Sequence, residues 1–343
     1  MRVGIVGYGF AGRRFHAYLI SRVPELRLTA VASRDPERRR QAEQDYGVET
    51  VPTLDDLLAR DLADIIVIAT PHDTHCALAC QAMAAGKHVV VDKVMCLSAA
   101  EAETMIACAR QHGVLLTVFQ NRRWDWDFLT LRQALAEDLI GAPYLFEAAI
   151  MRYRPPRGWR AEATASGGLL YDWGAHLIDQ ALLLVPGTVQ AVTCVAQYRG
   201  WGREIGSYVR LTLQFSSDVL FVIEIGNLAC LEKPRWLVLG EQGALIRYGL
   251  DPQEAAMLAG DISAASEPPE HLFRLRRCTA DGVREAVLPS VRGDWTDFYR
   301  NLAAALRGEA ELAVKPEEVR RAMTVFDAAR ESLASGGTVR VAL

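Results

Sequence analysis

A doubly wound parallel sheet followed by an α+β domain with a mostly antiparallel sheet is the fold class the sequence predicts. Three observations carry it. Short apolar strands alternate with helical stretches through residues 1–120. A glycine-rich turn closes the first of those strands and opens a helix. From residue 189 onward, strand-like runs follow one another without helices between them.

In the first part, "RVGIVG" (2–7), "LRLTAVAS" (26–33), "DIIVIAT" (64–70), "HVVV" (88–91) and "VLLTVF" (114–119) read as strands. Runs this apolar suit strands covered on both faces, as in a parallel sheet. Between them lie helical stretches such as "THCALACQAMAAG" (74–86), which ends in glycine, a common helix stop. This is the βαβ rhythm of a doubly wound sheet. The boundary is set after Gln120, giving a nucleotide-binding domain over 1–120 and an α+β domain over 121–343. In the latter, helices near 125–138 lead into an extended segment at 143–154, and a helix follows the glycine pair at 167–168. Strands are expected at 189–198, 207–215, 219–229 and 235–240, and helices return from Trp295. Adjacent strands of this kind imply an antiparallel sheet.

The 343 residues are enough for two domains at roughly 100–200 residues each. Half the residues are hydrophobic and the net charge is −4, which gives no electrostatic case for nucleic acid. No apolar run approaches the roughly 18 residues of a membrane span. The chain opens directly on a strand, so no signal peptide is expected. Seven scattered cysteines include no CxxC pair, so neither a disulfide framework nor a thiolate zinc site is expected. Reduced thiols place the protein in the cytoplasm.

"GIVGYGFAGRR" holds Gly7, Gly9 and Gly12 in a GxGxxG pattern. The pattern alone is weak, but after a strand and before a helix it has physical meaning. Gly7 permits a tight turn, Gly9 lets the backbone approach a pyrophosphate, and Gly12 lets helix and strand pack closely. The N–H groups from Phe10 and Ala11 onward then face the phosphates at the helix start. The end of the second strand chooses the dinucleotide: an acid there holds the ribose 2′-hydroxyl of NAD, whereas arginine suits the 2′-phosphate of NADP. Here "ASRDP" places Ser33 at the acid's position, with Arg34 next and Arg38 one turn on. Asp35 fits better as a helix cap. NADP is therefore the preferred cofactor, with NAD as the second choice.

"VVVDKVMCLS" (89–98) sets Lys93 at the end of a buried strand, where it either reaches solvent or works. "GGLLYDWGAHLIDQALLL" (167–184) spaces Asp172, His176 and Asp179 on one helical stripe. Such a stripe has three readings: a capping acid with a core histidine, a metal site, or a catalytic pair with His176 as general acid/base. No adjacent strong ligand motif accompanies it, so no metal is expected.

Taken in order, the glycine loop, "TPHDTH" (70–75), "DKVMCLS" (92–98) and "GGLLYDWGAHLIDQ" resemble the glucose–fructose oxidoreductase/inositol dehydrogenase family (Gfo/Idh/MocA) over essentially the whole chain. "FQNRRWDWDFLTLR" (119–132) and "YGLDPQE" (248–254) are similar to its scyllo-inositol dehydrogenase-like branch. The resemblance implies a Rossmann domain and a second domain whose large open sheet joins subunits into a homodimer or homotetramer. It also implies hydride transfer between a nicotinamide cofactor and a secondary hydroxyl or keto carbon of a sugar or cyclitol. Lys93, Asp172 and His176 match the family's catalytic positions, Thr70, Pro71 and His75 match its cofactor-side motif, and Asp92 stands beside Lys93 where the family has glutamate, a change that keeps the negative charge. Val94 stands where the family has proline, which leaves the isomer of the Lys93–Val94 bond open. Asn121, Arg122, Tyr153, Trp173 and Asp179 are the candidate substrate contacts. Two alternatives remain at this level: a nicotinamide-dependent glycosidase-like enzyme, and a non-catalytic NADPH-binding regulator.

Overall fold

The computed structural model describes residues 1–343. The chain divides into two compact units: Met1–Asn121 with Trp295–Met323, and Arg122–Asp294 with Thr324–Leu343.

The first unit is built on six parallel strands: β1 (Arg2–Val6), β2 (Arg27–Ala32), β3 (Glu49–Val51), β4 (Ile65–Ile68), β5 (His88–Val91) and β6 (Leu116–Val118). Their order is β3-β2-β1-β4-β5-β6. The order reverses between β1 and β4, the switch point at which such sheets bind ligands beyond the strands' carboxyl ends. Ile65, Ile66, Val67 and Ile68 are wholly buried, as a strand covered on both faces requires. Burying each contributes about 1.5–3 kcal/mol.

The domain boundary expected at residue 120 needs a correction, because 295–323 returns to this first unit. The reason is aromatic packing. Trp295 stacks on Phe15 at 5.7 Å, and Phe298 meets Phe119 edge to face at 5.1 Å. The Tyr299 hydroxyl lies 2.6 Å from His16 Nδ1 in the buried interior. These rings lie far apart in sequence, and no local signal announces their pairing.

The second unit carries nine strands: β7 (Pro143–Met151), β8 (Val189–Gln197), β9 (Tyr208–Phe215), β10 (Leu220–Gly226), β11 (Trp236–Gly240), β12 (Gly243–Arg247), β13 (Phe273–Thr279), β14 (Gly282–Leu288) and β15 (Val339–Arg340). They form one sheet in the order β14-β13-β12-β11-β7-β10-β9-β8-β15. Every pair is antiparallel except β7 with β10. In β9 the burial alternates: Val209, Leu211, Leu213 and Phe215 face the core, and Arg210 and Gln214 face outward. The helix Leu169–Leu184 packs against β9 and β10.

Candidate active site

Five loops of the first unit leave the carboxyl ends of its strands β1, β2, β4, β5 and β6. The loop after β1 contains the three glycines. Gly7 has φ +96°, and a Cβ there would lie 2.4 Å from the Ala69 carbonyl oxygen. A Cβ on Gly12 would lie 2.0 Å from the Gly7 carbonyl oxygen, so the helix start is pressed against the turn. Gly9 differs: the nearest atom to a Cβ there is Arg38 Nη1, 3.7 Å away. Two glycines are thus required by the protein's own packing, while the third keeps open space before the backbone. That is the cradle a pyrophosphate needs, and the residues fit the cofactor. The helix beyond it runs as a wide π-turn over Gly12–Ala17 before tightening at Tyr18–Ser21. Phe10, half exposed, lies edge-on to Phe15 beside Ala11 at the helix start.

After β2, Ser33 is buried, and its hydroxyl accepts from the Asp35 N–H. The Asp35 carboxylate accepts from the Glu37 N–H at 2.9 Å, capping the helix Pro36–Tyr46. Arg34 and Arg38 are exposed, and Arg38 Nε lies 3.4 Å from Asp35 while its Nη1 reaches over Gly9. Arg39, which the sequence did not single out, donates to the Ser33 carbonyl at 2.6 Å and holds the loop.

After β4, the Thr70 hydroxyl pairs with that of Thr74 at 2.7 Å, and Thr74 donates to the Pro71 carbonyl. His75 is buried, its Nδ1 2.9 Å from the Val94 carbonyl oxygen and its Nε2 3.0 Å from that of Thr70. Burial pushes its pKa below the ordinary value of 6.5. After β5, the Asp92 carboxylate accepts from the Lys93 N–H at 2.9 Å and stands 3.5 Å from His16 Nε2. Burial alone would raise the Asp92 pKa, but His16, Lys93 and His75 outweigh it and hold it well below the carboxylate range. Lys93 itself is half-buried, and the Lys93–Val94 peptide is cis. His16 is a residue that sequence inspection passes over, since one histidine on an apolar helix face usually signals core. After β6, Asn121 is buried and its amide nitrogen finds no hydrogen-bond acceptor in the chain.

In the second unit, Gly168 with φ +91° starts the helix Leu169–Leu184 where a Cβ would press on the Ile205 carbonyl at 3.0 Å. The helix sets Asp172, half-buried, one turn before His176, which is 3% exposed. The Trp173 ring stands edge-on to His176 at 5.8 Å and lies beneath two guanidinium groups, Arg122 at 4.3 Å and Arg152 at 4.8 Å. The third residue of the stripe behaves differently. Both Asp179 carboxylate oxygens are taken by Arg123, at 2.9 and 2.7 Å, and the pair is buried. Asp179 therefore anchors the helix. Tyr153 is 60% exposed, with its ring edge-on to Trp201 at 4.9 Å.

The two stretches that resemble the inositol branch meet here. Arg122 pairs with Glu254 at 2.6 Å and Asp125 at 3.2 Å. The Asp251 carboxylate accepts from the Trp126 and Gln253 N–H groups, and the Gln253 amide donates to the Trp124 carbonyl. Burial would strip charge from Arg122, but Asp125, Glu254 and Asp251 raise its pKa further. No group of His, Cys, Asp and Glu stands where it could hold a metal ion, and no helix is long and apolar enough to cross a membrane.

The glycine cradle of the first unit fits a nicotinamide dinucleotide, and this chain is an NAD(P)-dependent dehydrogenase. The chain belongs to the Gfo/Idh/MocA family: the family's NAD-binding Rossmann domain matches residues 1–120, and its C-terminal domain matches residues 128–246. Scyllo-inositol 2-dehydrogenase (NADP(+)) of Bacillus subtilis is 32% identical over 97% of this chain and 93% of its own length. Inositol 2-dehydrogenase of Rhizobium meliloti is 28% identical over 100% of this chain and 99% of its own. Among solved structures, the oxidoreductase YvaA of Bacillus subtilis superposes with a TM-score of 0.92 at 31% identity, covering 99% of this chain and 98% of that one. Relatives named as dehydrogenases favour neither the glycosidase-like nor the regulator alternative.

Proposed function

We propose that the enzyme uses NADP(H) to oxidise a secondary hydroxyl, or reduce the matching ketone, on a sugar or cyclitol. The observation that carries the cofactor choice is the end of β2. Ser33 stands in the acid's place, Asp35 is spent on its helix cap, and the Arg38 guanidinium lies over Gly9. A 2′-phosphate suits this setting better than a bare ribose hydroxyl. The scyllo-inositol relative, named for NADP(+), supports both the cofactor and the substrate class.

The bound nicotinamide supplies the hydride acceptor or donor. The chain's own residues hold and move the proton. Lys93, fixed through its N–H by Asp92, donates a hydrogen bond to the reacting oxygen. His176 takes the hydroxyl proton in oxidation and returns it in reduction. Asp172 holds a neighbouring hydroxyl or orients the imidazole. Thr70, Pro71 and His75 shape the nicotinamide end of the cofactor site, and Asn121 offers its unpaired amide to the bound ligands. Arg122 and Trp173 form a rigid polar-aromatic wall for the substrate. Tyr153 joins as an exposed contact, and Asp179 acts through the helix it anchors. Homodimer or homotetramer assembly through the sheet face turned away from the helix Leu169–Leu184 belongs to the same proposal. That face carries Val195, Leu220, Leu145 and Leu237 beside Arg210 and Glu147, and light scattering in solution measures the assembly.

The test follows absorbance at the reduced-nicotinamide band with NADP and NAD against inositols, aldoses and keto-sugars. Turnover with at least one polyol, faster with NADP, is the expected result. Silence with both cofactors across the panel would reject the proposal.

A further inference from the structure

The two arginines against Trp173 are not equivalent. Arg122 is clamped by Asp125 and Glu254. Arg152, at the end of β7, makes no ion pair and no side-chain hydrogen bond, and the Trp173 ring is the contact that holds it. Its surroundings oppose its charge: burial and then the like charge of Arg122 push its pKa down, against weaker support from Glu254 and Asp172. A guanidinium remains charged at neutral pH regardless. A cation drawn out of water beside another cation, with no carboxylate on it, is destabilising and calls for an explanation.

Arg152 also lines a cavity of about 590 Å³ lying wholly within the second unit. That volume is in the range of small-molecule sites. Ala149–Arg152 form one side, and Lys233, Arg235, Asp251 and His271 contribute others. The remaining strong charges there are already engaged. Lys233 is held by Glu224 and Arg235 by Asp127, while Asp251 accepts from two backbone N–H groups. Glu232, the other acid, is exposed. Arg152 is thus the arginine of this cavity that has no ion-pair partner within the chain.

We propose that the cavity receives the part of the substrate remote from the reacting carbon, and that Arg152 pairs with an anionic substituent on it. The preferred substrate is then an acidic sugar or cyclitol rather than a neutral polyol. This rests on the polyol oxidoreductase reading above and narrows its substrate class. A planar guanidinium can take a carboxylate or a phosphoryl group through paired N–H donors. The two share one chemistry, and the assay separates them.

The experiment measures binding by calorimetry, with NADP present, for D-glucuronate, glucose 6-phosphate and uncharged scyllo-inositol. The wild type is compared with Arg152→Gln and Arg152→Lys, and steady-state kinetics are run on whichever probes turn over. Expected is at least tenfold tighter binding of one anionic probe than of scyllo-inositol. Arg152→Gln should weaken that anion at least tenfold more than it weakens the neutral polyol, mainly in KM rather than kcat, with Arg152→Lys recovering part of the loss. Should the Gln variant fail to fold, inorganic phosphate competing with the anionic probe but not with scyllo-inositol in the wild type carries the same weight. Equal affinity for charged and neutral probes, or equal losses in the Gln variant, would overturn the proposal. Anion binding through Arg152 without any hydride transfer would sink the proposed sugar or cyclitol substrate class while leaving the anion site standing.

Discussion

His75 joins two loops of the dinucleotide-binding unit: its Nδ1 lies 2.9 Å from the Val94 carbonyl oxygen, and its Nε2 lies 3.0 Å from that of Thr70. The Thr-Pro loop after β4 and the segment bearing Lys93 after β5 are therefore referenced to one buried ring. Replacing His75 by Leu keeps the volume roughly but leaves one of these carbonyls without its donor, since the neutral imidazole carries a single N–H. Each buried polar group so orphaned costs about 1–3 kcal/mol. His75→Leu should lose at least that much in urea unfolding, and His75→Gln, which restores one donor, should lose less. Turnover should fall in the Leu variant more than cofactor affinity does, because Lys93 adjoins Val94. Equal stability of the Leu and Gln variants would show that the ring serves only as filling.

The glycines separate folding from binding. Gly7→Ala forces a Cβ against the Ala69 carbonyl at φ +96° and should destabilise the first unit. Gly9→Ala meets no protein atom closer than 3.7 Å. It should unfold within about 0.5 kcal/mol of the wild type, as surface substitutions do. Its NADP affinity, read by fluorescence titration, should nevertheless drop sharply. Retained affinity in a folded Gly9→Ala protein would remove the pyrophosphate from this loop.

Much of this was legible in the chain because its causes are local. The apolar runs of β1, β2, β4, β5 and β6 and the GxGxxG turn are short-range patterns, and the structure puts strands and a tight turn there. β12, β13 and β14 carried no such signal. β14 is exposed along nearly its whole length and interleaves charge with valine, so no buried face writes an alternation into its sequence. The partners of the site residues were equally silent. His16 with Tyr299, Arg122 with Glu254 and Asp179 with Arg123 are each joined across 56 to 283 residues of chain. A one-dimensional pattern shows that Asp179 lies on the His176 stripe. It cannot show that an arginine already occupies the carboxylate.

The proposed NADP preference rests on Arg38. A charge-assisted hydrogen bond to the 2′-phosphate is worth about 1.5–3 kcal/mol, so Arg38→Ala should raise the KM for NADP roughly tenfold to a hundredfold and barely move that for NAD. Adding Ser33→Asp should invert the preference. An unchanged NADP/NAD ratio in both variants would place the 2′-phosphate elsewhere.

Lys93→Met and His176→Ala should each keep the circular dichroism spectrum and NADP binding while lowering turnover by about 10²–10⁴-fold, the usual contribution of a positioned acid or base. Wild-type turnover in both would withdraw the catalytic assignment.

The last prediction concerns the carboxylate that joins the two branch-like stretches. Burial, then the charge of Asp127, pushes Asp251 up to about 6, against an ordinary value of 3.8. The folded protein therefore binds this proton more readily than the unfolded chain does. The associated stability is fully present below the unfolded value of about 3.9 and is lost as pH rises through 6. Other groups titrate nearby with the opposite sign: His75 and His88 are held neutral by burial and lose stability as pH falls through the unfolded histidine value. The comparison must therefore be made against Asp251→Asn, which removes one titration and leaves the histidines. The variant gives up part of the Asp251 hold on the Trp126 and Gln253 N–H groups, so it should be less stable at pH 5. The gap should narrow by on the order of 1 kcal/mol between pH 5 and pH 7, because only the wild type must ionise the carboxyl at this position, while Asp125, also pushed up by burial, is common to both proteins. A gap that stays constant across that range would show that Asp251 is already charged at pH 5, and that the clamp on Arg122 does not respond to pH through this residue.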